Sequence, residues 1–148
     1  MCSSDLNIYD LTAPLFTRPR FLPATKINGA HIEHSLIADG CILNNATVRH
    51  TVLGLRSILG SGARLDRIVM MGSDYYEMDG PGTSVPAIGI GENTTIENAI
   101  IDKNARVGNN CTISPKDKAR DQDHPLYFVR DGIVIIPKNG IVPHGTVI

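Results

Sequence analysis

Residues 30–70 read AHIEHSLIADGCILNNATVRHTVLGLRSILGSGARLDRIVM, in which a usually small residue and an aliphatic residue two positions later recur every five or six residues. The same pairing returns in residues 88–113 and again near the C-terminus. The pairs are Ala30/Ile32, Ser35/Ile37, Cys41/Leu43, Ala46/Val48, Thr51/Leu53, Ser57/Leu59, Ala63/Leu65, Ile68/Met70, Ile88/Ile90, Thr94/Ile96, Ala99/Ile101, Ala105/Val107, Cys111/Ile113, Val134/Ile136, Gly140/Val142 and Thr146/Ile148. Repeats of this length are typical of a parallel β-helix, in which each repeat forms one short strand and one turn. We therefore predict an all-β fold, a left-handed parallel β-helix built from hexapeptide repeats.

The repeat also predicts a register. Alternate side chains of a strand point to opposite faces, so both members of each pair face inward and the residue between them faces outward. Three repeats complete one triangular coil, and counting along the chain places Val134 directly above Ala99 on the same face. Residues 71–86 and 114–132 lack the repeat and are rich in turn-forming residues, which predicts two inserted loops. A short helix around Lys116 to Asp121 is predicted in the second loop.

The repeat divides the chain into three segments. We interpret residues 1–6 as a non-native N-terminal extension. Residues 7–27 contain Pro14, Pro19 and Pro23 and lack the repeat, which predicts an extended interdomain linker. Residues 28–148 are assigned to the β-helix.

Composition limits the classes of function. The chain has 148 residues and a net charge of −1, which indicates no general affinity for nucleic acid or membranes. The sequence has no apolar run of the roughly 18 residues that a membrane helix needs, and residues 1–6 lack the features of a signal peptide. A cytoplasmic location is therefore expected. Cys41 and Cys111 occupy the small inward position of a repeat, so we interpret them as small buried hydrophobic residues.

Three histidines, His31, His34 and His50, lie early in the predicted coil. Hexapeptide acyltransferases use a histidine base, and a related carbonic anhydrase holds zinc with three histidines. His31 faces outward, the other two lie at corners, and no acidic residue is recognisably placed to orient any of them. We interpret all three as surface residues. A stand-alone acyltransferase using coenzyme A and one of these histidines is the alternative, and a purely structural β-helix is a third possibility.

Two lysines occupy equivalent corners of the predicted coil. Lys103 lies in the turn after Ile101, and Lys138 lies in the turn after Ile136. Adjacent strands are about 4.8 Å apart, so the two ammonium groups can approach each other closely. Unpaired like charges ~4 Å apart repel by roughly 4 kcal/mol near a protein surface, and a bound phosphate or sulfate would reverse that sign. Two solvated lysines that splay apart are the alternative.

The string from Ile88 to Gly108, IGIGENTTIENAIIDKNARVG, is highly specific. Together with MGSDYYE at 71–77, TVLGLRS at 51–57 and FLP at 21–23, it closely resembles the C-terminal region of glucose-1-phosphate adenylyltransferase (ADP-glucose pyrophosphorylase), nearest to the cyanobacterial and plant small-subunit type. The resemblance runs from about Asn7 to the C-terminus.

That resemblance implies an activity. The family makes ADP-glucose and pyrophosphate from ATP and glucose 1-phosphate with Mg²⁺, for glycogen and starch synthesis. Its catalytic machinery lies in an N-terminal nucleotidyltransferase domain with a glycine-rich nucleotide loop, which this sequence lacks. The chain by itself is therefore predicted to be inactive, with no catalytic residue, metal ligand or cofactor of its own. A plant source would imply the plastid stroma.

The resemblance also implies a regulatory site. Lysines in the family's Ile-Ile-Asp-Lys-Asn-Ala-Arg motif and near its C-terminus bind phosphorylated effectors, and they match Lys103 and Lys138. The Pro-Arg-Phe-Leu-Pro segment implicates Arg20 and, more weakly, Arg18. The family's β-helix builds tetramer contacts and part of the allosteric site. Expected partners are therefore the chain's own catalytic domain, the other subunits of a homo- or heterotetramer, and phosphorylated metabolites, but not nucleic acid or membranes.

Overall fold

The computed structural model describes residues 9–77, 84–116 and 120–148, and in these ranges it contains sixteen strands and no helix. The strands are β1 (Lys26–Asn28), β2 (His31–Glu33), β3 (Leu36–Ile37), β4 (Ile42–Asn44), β5 (Thr47–Arg49), β6 (Val52–Leu53), β7 (Ile58–Leu59), β8 (Arg64–Met70), β9 (Gly89–Ile90), β10 (Thr95–Ile101), β11 (Arg106–Val107), β12 (Thr112–Ile113), β13 (Gln122–His124), β14 (Tyr127–Arg130), β15 (Ile133–Ile136) and β16 (Ile141–Val142). Most strands pair in parallel with the strand one coil away. This confirms the all-β class and the parallel coil that the repeat predicts. None of the described ranges contains a helical stretch with the length and hydrophobicity that a membrane-spanning helix requires.

The coil has three faces. Face one contains β2, β5, the first halves of β8 and β10, and β12. Face two contains β3, β6, the second halves of β8 and β10, and β15. Face three contains β1, β4, β7, β9, β11 and β16. The long strands β8 and β10 continue from face one to face two around one corner.

The predicted register is confirmed. Ala99 pairs with Val134, and Ile101 pairs with Ile136, so the chain resumes on the predicted face after the second break. On face three, Leu59 pairs with Ile90 across the first break. Neither insertion therefore adds or removes a turn of the coil.

The inward residues form one continuous core. Leu43, Leu59, Ile101 and Ile136 are all 0 % exposed. Stacking accounts for this burial, because each coil is covered by the coils on both sides of it. In the first coil, by contrast, inward residues such as Ile32 are only partly buried.

The corners require left-handed backbone, and the sequence supplies residues that tolerate it. Positive φ angles recur at one position of each turn, mainly at asparagine and histidine, whose short polar side chains allow this conformation more often than most. These residues include His34, Asn45, His50, Asn93, Asn98, Asn104, Asn110 and Asn139. The asparagines that recur between the inward pairs therefore mark the corners of the coil, as the pairs mark its strands.

Gly72 lies at the corner between faces two and three, where the first insertion begins. Its φ is +83°, and a Cβ at this position would overlap the carbonyl oxygen of Leu55 in the coil below. The close approach lets the Ser73 N–H donate to Leu55 O at 2.8 Å. Gly72 O in turn accepts from the Asn104 N–H at 3.1 Å. Because Gly72 has no side chain, the corners of three successive coils can approach closely enough to form these hydrogen bonds.

The first insertion is tied to the coil by a partly buried ion pair. The Glu77 carboxylate pairs with the Arg106 guanidinium, and both side chains are less than one-fifth exposed. Glu77 also accepts from the Ile88 N–H at 3.0 Å, and Arg106 donates to Pro86 O at 2.9 Å. Burial alone would raise the pKa of Glu77, but the Ile88 amide and Arg106 outweigh burial and hold it below its ordinary value. Two points of the insertion, Glu77 and Pro86, are therefore fixed to the Arg106 side chain of face three.

The second insertion contains a β-hairpin that the sequence reasoning missed. Strands β14 and β15 pair antiparallel, with Val129 opposite Val134. Asp131 and Gly132 between them have φ angles of 47° and 75°, which is the geometry of a two-residue hairpin turn. The loop is therefore partly regular structure that extends face two. Of the predicted helix at 116–121, residues 117–119 lie outside the described residues, and Arg120 and Asp121 are not helical.

The chain before the coil has no strand up to Thr25 in the part that the structure describes. The Thr25 hydroxyl donates to Ala38 O at 2.7 Å, which attaches this segment to the first coil. Strand β1 begins at Lys26, inside the segment assigned to the linker, and pairs with β4. The proposed extension at residues 1–6 lies outside the described residues.

Candidate anion-binding site

The turns between faces two and three form a stack, one turn per coil. Backbone hydrogen bonds connect them in order: Ser73 N–H to Leu55 O, Asn104 N–H to Gly72 O, and Asn139 N–H to Lys103 O at 2.9 Å. Each step is one coil, or about 4.8 Å. Residues in the turn after face two therefore lie one above another in successive coils along this corner.

Four cationic side chains and one carboxylate line an open cleft of about 560 Å³ beside this corner: Arg18, Arg20, Arg56, Lys103 and Asp74. Two of them belong to the linker, and the others belong to three successive turns of the stack. Their formal charges leave a surplus of three positive charges. An anion is the ligand that this composition favours.

Three of the four residues predicted for the site meet in this cleft. Arg18, Arg20 and Lys103 line it, whereas Lys138 does not. Lys138 is exposed one coil further along, and its charge still contributes to lowering the pKa of Asp74. The structure therefore places Lys138 at the edge of the site.

Lys103 is paired, contrary to the expectation of an unpaired lysine. Its Nζ lies 2.7 Å from Asp74 Oδ1, and both side chains are partly exposed. Asp74 Oδ2 accepts from Asn104 Nδ2 at 3.1 Å, and the Asp74 N–H donates to Asn104 Oδ1 at 2.8 Å. The hydrogen bond from Lys103, followed by that from Asn104, holds the pKa of Asp74 below its ordinary value. Asp74 is thus ionised and neutralises Lys103.

Arg56 is the cation that the sequence reasoning missed. It lies in the turn after Leu53, as Asn104 lies in the turn after Ile101. Its Nη1 donates to Ser73 O at 3.1 Å, and its guanidinium lies 5.8 Å from the centre of the Tyr76 ring. The same counting of repeats that identified Lys103 would also have identified Arg56, because Arg56 lies at the same corner of an earlier coil.

The linker supplies the two remaining cations of the cleft, Arg18 and Arg20. Both are exposed, and Arg20 Nη1 donates to Arg18 O at 3.2 Å. A guanidinium offers a planar set of donors that matches two phosphate oxygens, whereas lysine supplies a mobile point charge. The cleft therefore combines both kinds of phosphate donor.

An apolar recess of about 290 Å³ adjoins the cleft and shares Arg20, Arg56, Asp74 and Lys103 with it. Aliphatic residues of face two and of the turns that follow it form its floor, among them Val52, Leu55, Val69 and Met71. Ser73 also lines it, and the Ser73 hydroxyl is buried without a hydrogen-bond partner in the described part of the chain. The recess offers space for the uncharged part of a ligand next to the cations.

The early histidines lie away from this site: His31 is on face one, and His34 and His50 are at the corner between faces one and two. The expectation that no acidic residue orients them is wrong: His31 Nε2 lies 3.1 Å from Glu33, and His50 Nδ1 lies 3.1 Å from Asp66. The rings of His34 and His50 stack with centroids 5.4 Å apart. All three histidines are exposed, as predicted.

Two other groups bear on the chemistry that the chain can carry. Cys41 and Cys111 are both buried, which confirms their interpretation as small core residues, and burial raises the pKa of the Cys41 thiol. Within residues 9–77, 84–116 and 120–148, no group of three or more His, Cys, Asp or Glu side chains could hold a metal ion.

Comparisons with known proteins agree with the geometry. The family described as the GLGC left-handed parallel β-helix domain matches residues 20–147, which supplies the predicted handedness of the coil. The chain is 41 % identical over 154 residues to the chloroplastic/amyloplastic small subunit of glucose-1-phosphate adenylyltransferase from Triticum aestivum. The alignment covers 97 % of this chain and 32 % of that protein, so the chain spans about a third of the relative's length. These matches do not favour the acyltransferase alternative.

Proposed function

The chain belongs to the glucose-1-phosphate adenylyltransferase family, whose left-handed β-helix domain it matches, and from that premise we propose that it is the regulatory and oligomerisation domain of such an enzyme. The reaction would be the family's: ADP-glucose and pyrophosphate from ATP and glucose 1-phosphate, with Mg²⁺. Because the chain spans about a third of its relative, we assign catalysis and the metal to a nucleotidyltransferase domain outside this chain. The chain alone would be inactive.

The observation that carries this proposal is the convergence of linker and coil in one cationic cleft. Arg20 comes from the segment that precedes the coil, whereas Arg56 and Lys103 come from turns two coils apart. A phosphorylated metabolite bound here would contact both parts, with Lys138 at the edge. Such a ligand can shift an enzyme between states of different activity if it binds one arrangement of linker and coil more tightly.

The proposal includes partners. The relative is named as a small subunit, and we propose that this chain likewise assembles with further subunits, in a homo- or heterotetramer. Its location stays a prediction: the cytoplasm, or the plastid stroma in a plant.

The test uses the full-length enzyme, in which this chain is joined to its catalytic domain. ADP-glucose synthesis is measured against the concentration of 3-phosphoglycerate, fructose phosphates and inorganic phosphate. Loss of one charge-assisted hydrogen bond weakens binding by about tenfold or more, so Lys103→Gln and Arg20→Gln should raise half-saturation by the effective metabolite by that factor. The rate without effector should stay unchanged.

Lys116→Gln is the matched control, because Lys116 is exposed in the second insertion and does not line the cleft. It should leave the response unaltered. Unchanged effector responses in both the Lys103 and the Arg20 variants would remove the basis of the proposal.

A further inference from the structure

Asp74 occupies the position in the cleft where an incoming anion would meet Lys103. Its two carboxylate oxygens accept hydrogen bonds from two different side chains, Oδ1 from Lys103 at 2.7 Å and Oδ2 from Asn104 at 3.1 Å. Arg56 contacts the preceding residue, Ser73, at 3.1 Å, and the Asp74 side chain is 43 % exposed. The carboxylate is thus held like a bound oxyanion, with one side open to the cleft.

We propose that Asp74 is an internal anion that the phosphate group of an effector displaces from Lys103, and that this competition sets how tightly the site binds anions. The inference rests on the proposed function and deepens it, because it names a residue that controls the affinity of the site and the class of ligand, a phosphomonoester dianion.

The charge of the ligand determines how favourably it displaces Asp74 from Lys103. A ligand carboxylate that replaced Asp74 would substitute one monoanion for another and would gain little at Lys103. A phosphomonoester carries −1.5 to −2 charges and three acceptor oxygens near neutral pH. Arg18, Arg20 and Arg56 have no carboxylate partner among the described residues, so they can hold the additional charge. Displacement of Asp74 is therefore favourable for a phosphate and nearly neutral for a carboxylate.

The backbone around Asp74 allows the exchange without refolding. The Ser73 N–H is bonded to Leu55 O, and the Asp74 N–H is bonded to Asn104 Oδ1 at 2.8 Å. These bonds stay in place when the Asp74 side chain rotates about χ1. Because the side chain is exposed, it can turn into solvent without opening the core.

The experiment titrates this chain separately with inorganic phosphate and with acetate at constant ionic strength, and follows the amide NMR shifts of Lys103 and Asn104. Asp74→Asn keeps the shape of the side chain and removes its charge. Lys103→Gln defines which shifts report binding at this site. Asp66→Asn is the matched control, because Asp66 also pairs with a cation, Arg67, but at a different corner.

Asp74→Asn should bind phosphate about three- to tenfold more tightly than the wild type, because the exposed ion pair no longer has to be broken and no carboxylate repels the ligand. Acetate binding should strengthen by a similar or smaller factor, because the same ion pair is released and a carboxylate repels a monoanion less than a dianion, so phosphate should remain the preferred anion. Asp66→Asn should match the wild type.

Two results would overturn the inference in distinguishable ways. If the wild type binds phosphate through Lys103 but Asp74→Asn binds it equally or less tightly, Asp74 orients Lys103 instead of competing for it, and only the exchange is wrong. If neither protein shows phosphate binding that Lys103→Gln abolishes, the anion site fails, and the proposed function loses its support with it.

Discussion

The ion pair between Glu77 and Arg106 provides a quantitative test of how the first insertion is held. Glu77→Gln removes the charge of the carboxylate while keeping its size. The side chains of Glu77 and Arg106 are 18 % and 19 % exposed, so the mutation leaves a guanidinium that is largely desolvated and has lost its counter-ion. Exposed pairs contribute about 0–1 kcal/mol, and breaking a fully buried pair costs about 3–5 kcal/mol. At this exposure we expect the free energy of unfolding to fall by about 2 kcal/mol.

The assay is urea unfolding of this chain at pH 7, with Glu77→Gln, Arg106→Met and the double variant forming a thermodynamic cycle. We expect a coupling energy of about 1–2 kcal/mol, since residues in direct contact do not behave additively. The matched control is Asp131→Asn, which breaks the ion pair with Arg120. The side chains of Asp131 and Arg120 are 72 % and 83 % exposed. That variant should change stability by less than about 0.5 kcal/mol.

The pH dependence has a defined sign. A carboxyl whose pKa is lowered on folding stabilises the folded state above its unfolded-state pKa, and this contribution disappears as the pH falls through the folded value. For Glu77, whose ordinary pKa is 4.5, the difference between wild type and Glu77→Gln should be complete at pH 7 and should shrink below pH 4.5. A loss below about 0.5 kcal/mol at pH 7, or a difference that grows in acid, would refute the reasoning.

Two further predictions concern the coil itself, and both are measured by urea unfolding. Gly72→Ala should cost at least about 2–3 kcal/mol, because a Cβ would overlap backbone at a positive φ. Gly132→Ala should cost only about 1 kcal/mol, because the backbone strain is similar but no atom lies within 4 Å of the added Cβ; equal losses at the two sites would contradict this account. Ile101→Ala should cost about 2–5 kcal/mol and Ile101→Val about 0.5–1.5 kcal/mol, since the side chain is 0 % exposed; a loss below 1 kcal/mol for the alanine would show that the core relaxes around it.

Most of the coil was predictable because each repeat in the sequence corresponds to one strand and one corner of the structure. An inward pair every five or six residues fixes which face each strand occupies, and this was enough to place Val134 over Ala99 across an insertion. The hairpin at Tyr127–Ile136 was missed for the opposite reason: its local signal was present and was not used. The run of aromatic and β-branched residues Tyr127-Phe128-Val129, followed by Asp131-Gly132, is a standard hairpin pattern, but it lies outside the repeat.

Without the family resemblance, which named Arg20 and Arg18, the site was predictable only where the repeat passes through it. Lys103 and Lys138 follow from counting, and the same count would have found Arg56, which occupies the equivalent corner two coils below Lys103. Asp74 could not be found this way. It lies in the first insertion, whose path depends on Gly72, Glu77 and Arg106 and not on a period in the sequence. The neutralising partner of Lys103 is therefore a property of the tertiary structure.

The partial burial of the first coil has a consequence for local opening. In a one-dimensional stack each coil is stabilised by its neighbours, so amide hydrogen exchange and fraying begin at the end that has one neighbour fewer. Ile32 and Ile37 are in that coil, and Thr25 attaches the arginine-bearing linker to it through Ala38. An anion that bridges Arg20 and Lys103 would hold the fraying end against the fourth coil. Under the proposed function, occupancy of the cleft and closure of the first coil would be linked equilibria, each favouring the other.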